Sequence, residues 1–118
     1  MITVRIVKDC LGNIKGFNIK GHAGYAAYGE DIVCSAVSIL SHTALLSLVK
    51  VAGIEEKDIK YKVEEEKGYL IVTLPKKINK ESLDKAQIIL QSFELGIGSI
   101  TEAYPKHVRL QYEEVREC

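Results

Sequence analysis

Net charge is the first thing this sequence lacks: sixteen Lys and Arg balance sixteen Asp and Glu over 118 residues. With no global field, nothing draws the chain as a whole onto nucleic acid or an anionic membrane, and neither is expected as a direct partner. A basic leader running into an apolar segment is also missing. Met1-Ile2-Thr3-Val4-Arg5-Ile6 alternates like a strand, so no signal peptide is read and a cytoplasmic protein is expected. Cysteines are few and odd in number. Cys10, Cys34 and Cys118 are widely spaced, which argues against a disulfide framework and for thiols in a reducing compartment. Internal repeats, low-complexity tracts and linkers are absent, and 118 residues suit one domain, 1–118, with one ordinary core.

Residues 32–49 contain no Asp, Glu, Lys or Arg. An uncharged run of that length raises a transmembrane reading. Ser35, Ser38, Ser41, His42, Thr43 and Ser47 interrupt it, and a helix in the core or at a subunit interface is expected instead, with His42 a core or interface residue.

What is present reads as alternating short elements. Ile2, Val4 and Ile6 alternate with polar neighbours, and after Asp9-Cys10-Leu11-Gly12-Asn13 the stretch from Ile14 to Lys20 does the same, which predicts a β-hairpin with a bulge at Gly16. Asp31 is placed as N-cap of a helix running to about Ala52, with Gly53 just past its end. Tyr61 and Val63, the solvated turn Glu64-Glu65-Glu66-Lys67-Gly68, and Tyr69 to Leu74 before Pro75 predict a second hairpin. From the cap Asn79, Leu83, Ala86, Leu90, Phe93, Ile97 and Ile100 form a helical stripe, weakened at Gly96 and Gly98 by a kink or close packing. Tyr104-Pro105 ends it, and Val108, Leu110 and Tyr112 alternate as a last strand. The order β-β-α-β-β-α-β predicts an α+β two-layer sandwich, mostly antiparallel, with two main helices.

Chemistry concentrates between His22 and Cys34. A free thiol titrates near about 8.5, so a nucleophilic cysteine needs a base, a cation or a helix N-terminus. With Asp31 as cap, Ile32, Val33 and Cys34 open the helix, and their unpaired amides would favour a thiolate and receive an oxyanion. Against this, the Asp31 charge opposes the thiolate, unless the carboxylate also turns toward His22. His22 is the candidate proton acceptor, since imidazole can take the thiol proton and return it to a leaving amine. Ser38, one turn on, can support the site or bond back to its own helix.

Other readings compete. A cysteine in an apolar helix is commonly a small core residue, and Cys10 and Cys118 look incidental. Gly21, Gly24 and Gly29 ahead of a helix could cradle a phosphate, but neither the Gly-Lys-Ser/Thr ending nor Gly-x-Gly-x-x-Gly is present. Zinc on His22, Cys34 and His42 lacks a Cys-x-x-Cys or His-x-x-x-His pair, so no metal and no cofactor is expected.

Gly21-His22-Ala23-Gly24-Tyr25-Ala26, followed by Gly29-Glu30-Asp31-Ile32-Val33-Cys34-Ser35-Ala36-Val37-Ser38, closely resembles the motif of the bacterial ribosomal-processing cysteine protease family, with Ser35 in place of alanine. The resemblance spans essentially the whole chain. It implies Cys34 as nucleophile and His22 as general base, supported by Asp31 and Ser38. It also implies a substrate, the N-terminal extension of a large-subunit ribosomal protein precursor, and a homodimer. The loop 23–30 would then act as a gate beside Gly21 and Gly29, with Tyr25 and Tyr28 closing over a peptide or merely packing the loop. The alternative function is a non-catalytic ribosome-associated or peptide-binding module using the same cleft.

Overall fold

The computed structural model describes residues 1–27, 30–64 and 66–116; Tyr28, Gly29, Glu65, Glu117 and Cys118 lie outside them. Element order is as the sequence predicts: β1 (Ile2–Lys8), β2 (Ile14–Lys20), α1 (Ile32–Lys50), β3 (Lys60–Glu64), β4 (Tyr69–Thr73), α2 (Lys80–Ala103) and β5 (Val108–Glu114). A 3-10 turn at Glu56–Asp58 precedes β3, and no periodicity announced it. The strands run in the order β3-β4-β2-β1-β5. All neighbours are antiparallel except β1 and β5, which are parallel.

Period-two alternation puts one face of this sheet under the helices. Val4 lies opposite Ile19 and Ile6 opposite Phe17, while Phe17 faces Val72 and Ile19 faces Leu70. All of them are buried, in one cluster with Val33, Val37, Ala44 and Leu48 of α1 and Ala86, Leu90, Phe93 and Ile97 of α2. Phe17 meets Phe93 with ring centroids 4.3 Å apart. Each such side chain contributes about 1.5–3 kcal/mol on burial, and the result is the predicted α+β two-layer sandwich.

The helices pack closely where α2 has a glycine. A Cβ on Gly96 would stand 2.9 Å from both methyls of Leu40 on α1, and α2 runs unbroken through Gly96 and Gly98, so close approach rather than a kink explains Gly96. The register of β1 on β2 shifts between Val7 and Lys8, opposite Gly16, as the bulge reading requires. Ile14 begins β2 with its N–H donating to Gln87 Oε1 (2.6 Å) while Gln87 Nε2 donates to its carbonyl (2.8 Å). A buried glutamine thus satisfies both backbone groups at a buried strand end.

Two expectations change. Only one stripe of α1 enters the core; Ile39 and Leu46 are exposed, and so is His42, which is not a core histidine of this chain. The helix is long and apolar enough to cross a membrane by length and composition, yet that stripe packs on the sheet with the rest of the core. Cys10, in the β1–β2 turn, is disulfide-bonded rather than a free thiol, so cysteine usage no longer argues for a reducing compartment.

Candidate active site

Three segments converge at the start of α1. Asp31 takes an extended backbone and accepts from the N–H groups of Val33 and Cys34, both at 3.0 Å, through Oδ1. Its other oxygen, Oδ2, accepts from Tyr25 N–H (3.0 Å) and Ala26 N–H (3.3 Å). One buried carboxylate therefore caps the helix and holds the loop 23–27 against it. Burial works to raise the Asp31 carboxyl, but the four amides of Cys34, Ala26, Tyr25 and Val33 outweigh it and hold the group below its ordinary 3.8.

This arrangement corrects two expectations. Asp31 turns toward the loop amides and not toward His22, and the amides of Val33 and Cys34 are already engaged by its carboxylate rather than free for an oxyanion. The physical reason is local: an Asp cap satisfies its own first-turn donors before any ligand arrives. For the same reason the phosphate-cradle reading fails, since the amides it needs already surround an anion.

Cys34 is half-buried in the first turn of α1, and its Sγ accepts a hydrogen bond from Ala23 N–H at 3.3 Å. His22, the residue before Ala23, is exposed, and its Nε2 lies 3.0 Å from the Glu66 carbonyl in the β3–β4 turn. A carbonyl only accepts, so in the neutral ring Nε2 carries the proton and Nδ1 keeps its lone pair. His22 and Cys34 are neighbours through Ala23, and the structure shows no hydrogen bond between their side chains.

Close crossing of two glycines fixes where His22 leaves the sheet. Gly21, at φ +98°, donates its N–H to the Gly68 carbonyl (2.9 Å), and Gly68, at φ +58°, would drive a Cβ into the Gly21 carbonyl and to 3.1 Å from His22 Cε1. A side chain there is excluded both by the left-handed backbone and by the contact. Gly21 thus fixes the direction in which the chain leaves β2.

Of the remaining predicted positions, Ser38 is exposed one turn beyond Cys34, and its hydroxyl makes none of the hydrogen bonds among the described residues. Tyr25 stands 46% exposed, edge-on to Tyr104 (5.5 Å between centroids) and to His107 (5.4 Å). Its ring packs the loop in this state. Tyr28 and Gly29 lie outside the described residues. Among the described residues no three His, Cys, Asp or Glu side chains are grouped to hold a metal ion.

Two participants were not read from the sequence. The Glu66 carbonyl is backbone and leaves no residue-type signal. His107 lies 84 positions from Ala23 and bonds its carbonyl through Nδ1 at 2.9 Å. Pairing of the last strand with the first, which brings Val108 beside Ile2, would have placed it here.

A half-buried free thiol at a capped helix start, beside a histidine whose Nε2 faces a carbonyl, suits acyl transfer through a thiol. Residues 1–109 match the model of the family described as cysteine protease Prp. The ribosomal processing cysteine protease Prp of Staphylococcus aureus is 30% identical over 113 residues, covering 96% of this chain and 100% of that one. The crystal structure of S. aureus Prp with a covalently linked product peptide aligns with a TM-score of 0.80 at 26% identity, over 96% of this chain and 100% of that one. In complex with a substrate peptide the same protease aligns at 0.76, with the same identity and coverage. This chain belongs to the Prp family and is a cysteine protease.

Proposed function

We propose that the protein removes the N-terminal extension of a large-subunit ribosomal protein precursor, with Cys34 as nucleophile and His22 as general base. The observation that carries the reading is the His22-Ala23 segment. It lays an amide on the Cys34 sulfur while the Glu66 carbonyl holds the neighbouring imidazole with Nδ1 unprotonated. The proton transfer requires that lone pair to meet the thiol in the substrate complex, and such contacts commonly tighten only when substrate binds.

In the reaction His22 takes the Cys34 proton, and the thiolate adds to the scissile carbonyl. Collapse of the tetrahedral intermediate breaks the C–N bond as His22 returns the proton to the leaving amine. Water, deprotonated by the same imidazole, then hydrolyses the thioester and restores the thiol. The product peptide covalently linked to the S. aureus relative supports a covalent route, and the ribosomal processing named for the relatives supports the substrate. That substrate, rather than cysteine usage, is the reason to place the protein in the cytoplasm.

Incubation of the protein and its Cys34→Ala variant with the extended ribosomal protein, followed by mass spectrometry, tests the proposal. A shortened product from the unsubstituted protein alone is expected; equal cleavage by the variant removes Cys34 as nucleophile.

A homodimer is proposed on the outward faces of the helices, where Ile32, Ile39 and Leu46 of α1 and Ile88 and Leu95 of α2 stand at seven-residue intervals, each more than half exposed. Stripes of this kind mark contact surfaces. Sedimentation of the protein against an Ile39→Glu, Leu95→Glu double variant should show a dimer reduced to a monomer; a monomer in both cases rejects it.

A further inference from the structure

The catalytic steps make no use of the contact between His107 and Ala23. Ala23 is only 3% exposed, and both of its backbone groups leave the loop: the N–H goes to Cys34 Sγ at 3.3 Å and the carbonyl to His107 Nδ1 at 2.9 Å. Ala23 is therefore gripped between the sulfur and a histidine from the far end of the chain.

His107 is itself held on every side. Its N–H donates to the Tyr104 carbonyl (3.0 Å), and its carbonyl accepts from Ile2 N–H (2.9 Å), which ties it to the end of α2 and to the first strand. Its ring meets the edge of Tyr25 at 81°, and Tyr25 in turn meets Tyr104 at the same angle. Tyr25 N–H is bound by Asp31, whose other oxygen caps the Cys34 amide. The loop is fastened to α1 through one carboxylate and to the α2–β5 corner through one imidazole.

We propose that His107 is a positioning residue for the nucleophile: by donating Nδ1–H to the Ala23 carbonyl it keeps the Ala23 amide on the Cys34 sulfur. An N–H aimed at sulfur favours the thiolate over the thiol, because a hydrogen bond to a charged acceptor is the stronger one. Without the imidazole the Ala23 carbonyl must seek another donor, the Ala23–Gly24 peptide turns, and the shift of Ala23 that accompanies it draws the N–H of the preceding peptide off the sulfur. His107 makes no hydrogen bond to Cys34; it acts through Ala23. The role rests on Cys34 being the nucleophile.

Two substitutions separate donor from ring. His107→Phe keeps a ring edge for Tyr25 and removes the donor. His107→Asn removes the ring but places an amide N–H where Nδ1 stands. Alkylation of Cys34 by iodoacetamide at fixed pH, followed on the Cys34 peptide by mass spectrometry, reads the thiolate without any turnover. His107→Phe should slow alkylation by about tenfold and lower kcat by a similar factor at a KM within about twofold of the original, the loss that one charge-assisted hydrogen bond represents. His107→Asn should restore both.

An unchanged alkylation rate in His107→Phe overturns the proposal, and so does equal loss in the two variants, which would assign the effect to the ring. Should the phenylalanine variant fail to fold, the long-range imidazole NMR spectrum of the unsubstituted protein decides: a proton on Nδ1 of neutral His107 is required, and a proton on Nε2 alone overturns the assignment. Cleavage surviving in Cys34→Ala would defeat the nucleophile reading while leaving the alkylation result interpretable, so the two failures are distinct.

Discussion

Asp31 holds two structures with two oxygens, and substitution can release them one at a time. In Asp31→Asn the side-chain carbonyl remains a good cap for Val33 and Cys34, but the NH2 group now faces the N–H groups of Tyr25 and Ala26, donor against donor. Those loop residues are exposed, so water takes up their amides and the loss is about 0.5–1 kcal/mol each, or about 1–2 kcal/mol in all. Asp31→Ala adds loss of the cap, about 1–2 kcal/mol more, for a total of about 2–4 kcal/mol. At about 5 °C per kcal/mol for a chain of this size, Tm should fall by about 5–10 °C and 10–20 °C respectively.

Amide hydrogen exchange assigns the losses. Tyr25 and Ala26 should exchange faster in both variants, Val33 and Cys34 only in Asp31→Ala. Acid gives a third reading. The folded carboxyl lies below 3.8, so Asp31 contributes its full stabilisation above pH 3.8 and loses it as pH falls through the folded value. The Tm difference between the unsubstituted protein and Asp31→Asn should therefore shrink on acidification below that point. Protected Tyr25 and Ala26 amides in a fully stable Asp31→Asn protein would refute the reasoning.

Three further outcomes are expected. The long-range imidazole spectrum should show neutral His22 protonated on Nε2, and Gly68→Ala, whose Cβ collides with the Gly21 carbonyl, should scramble that tautomer and lower cleavage by about tenfold or more through a misplaced base; a clean Nε2–H signal with full activity in the variant would sink the Glu66 assignment. Gln87→Met strands both backbone groups of buried Ile14 and should cost about 2–4 kcal/mol in urea unfolding, a cost under about 0.5 kcal/mol showing that another group satisfies them. The Tyr112 hydroxyl donates to Glu94 at 2.6 Å, and this bond, with partial burial and the carboxylate charge, pushes the phenol from 10.0 up to about 12. Its contribution to stability is complete below pH 10.0 and is lost as pH rises toward 12. Glu94→Gln should bring the phenolate absorbance transition back toward 10.0; an unmoved transition would show that Glu94 is not the cause.

Most of the fold could be read from alternation and caps, because those signals are local. Asp31 and Asn79 each cap the helix assigned to them, and the buried strand residues are those that alternate. Locality is also where reading failed. The sequence places Asp31 at a helix start, but only the folded loop shows that its second oxygen is spent on Tyr25 and Ala26 instead of His22. Cys10 carries no sign of its disulfide, since wide spacing says nothing of proximity. His107 carries no local signal for a similar reason: its contact with Ala23 depends on the parallel pairing of β1 with β5, elements far apart in sequence.

That pairing also sets an order in time. Ile2–Lys8 lies between β2 and β5, so one of its edges keeps unpaired N–H and C=O groups until Val108–Glu114 has been made. Contacts that close so long a loop form late. The residue that grips Ala23 sits immediately ahead of this last strand, while the thiol belongs to the first helix. During synthesis the cysteine emerges well before the corner that positions the amide on its sulfur, so the arrangement around Cys34 is completed only after His107 and the strand Val108–Glu114 have been made.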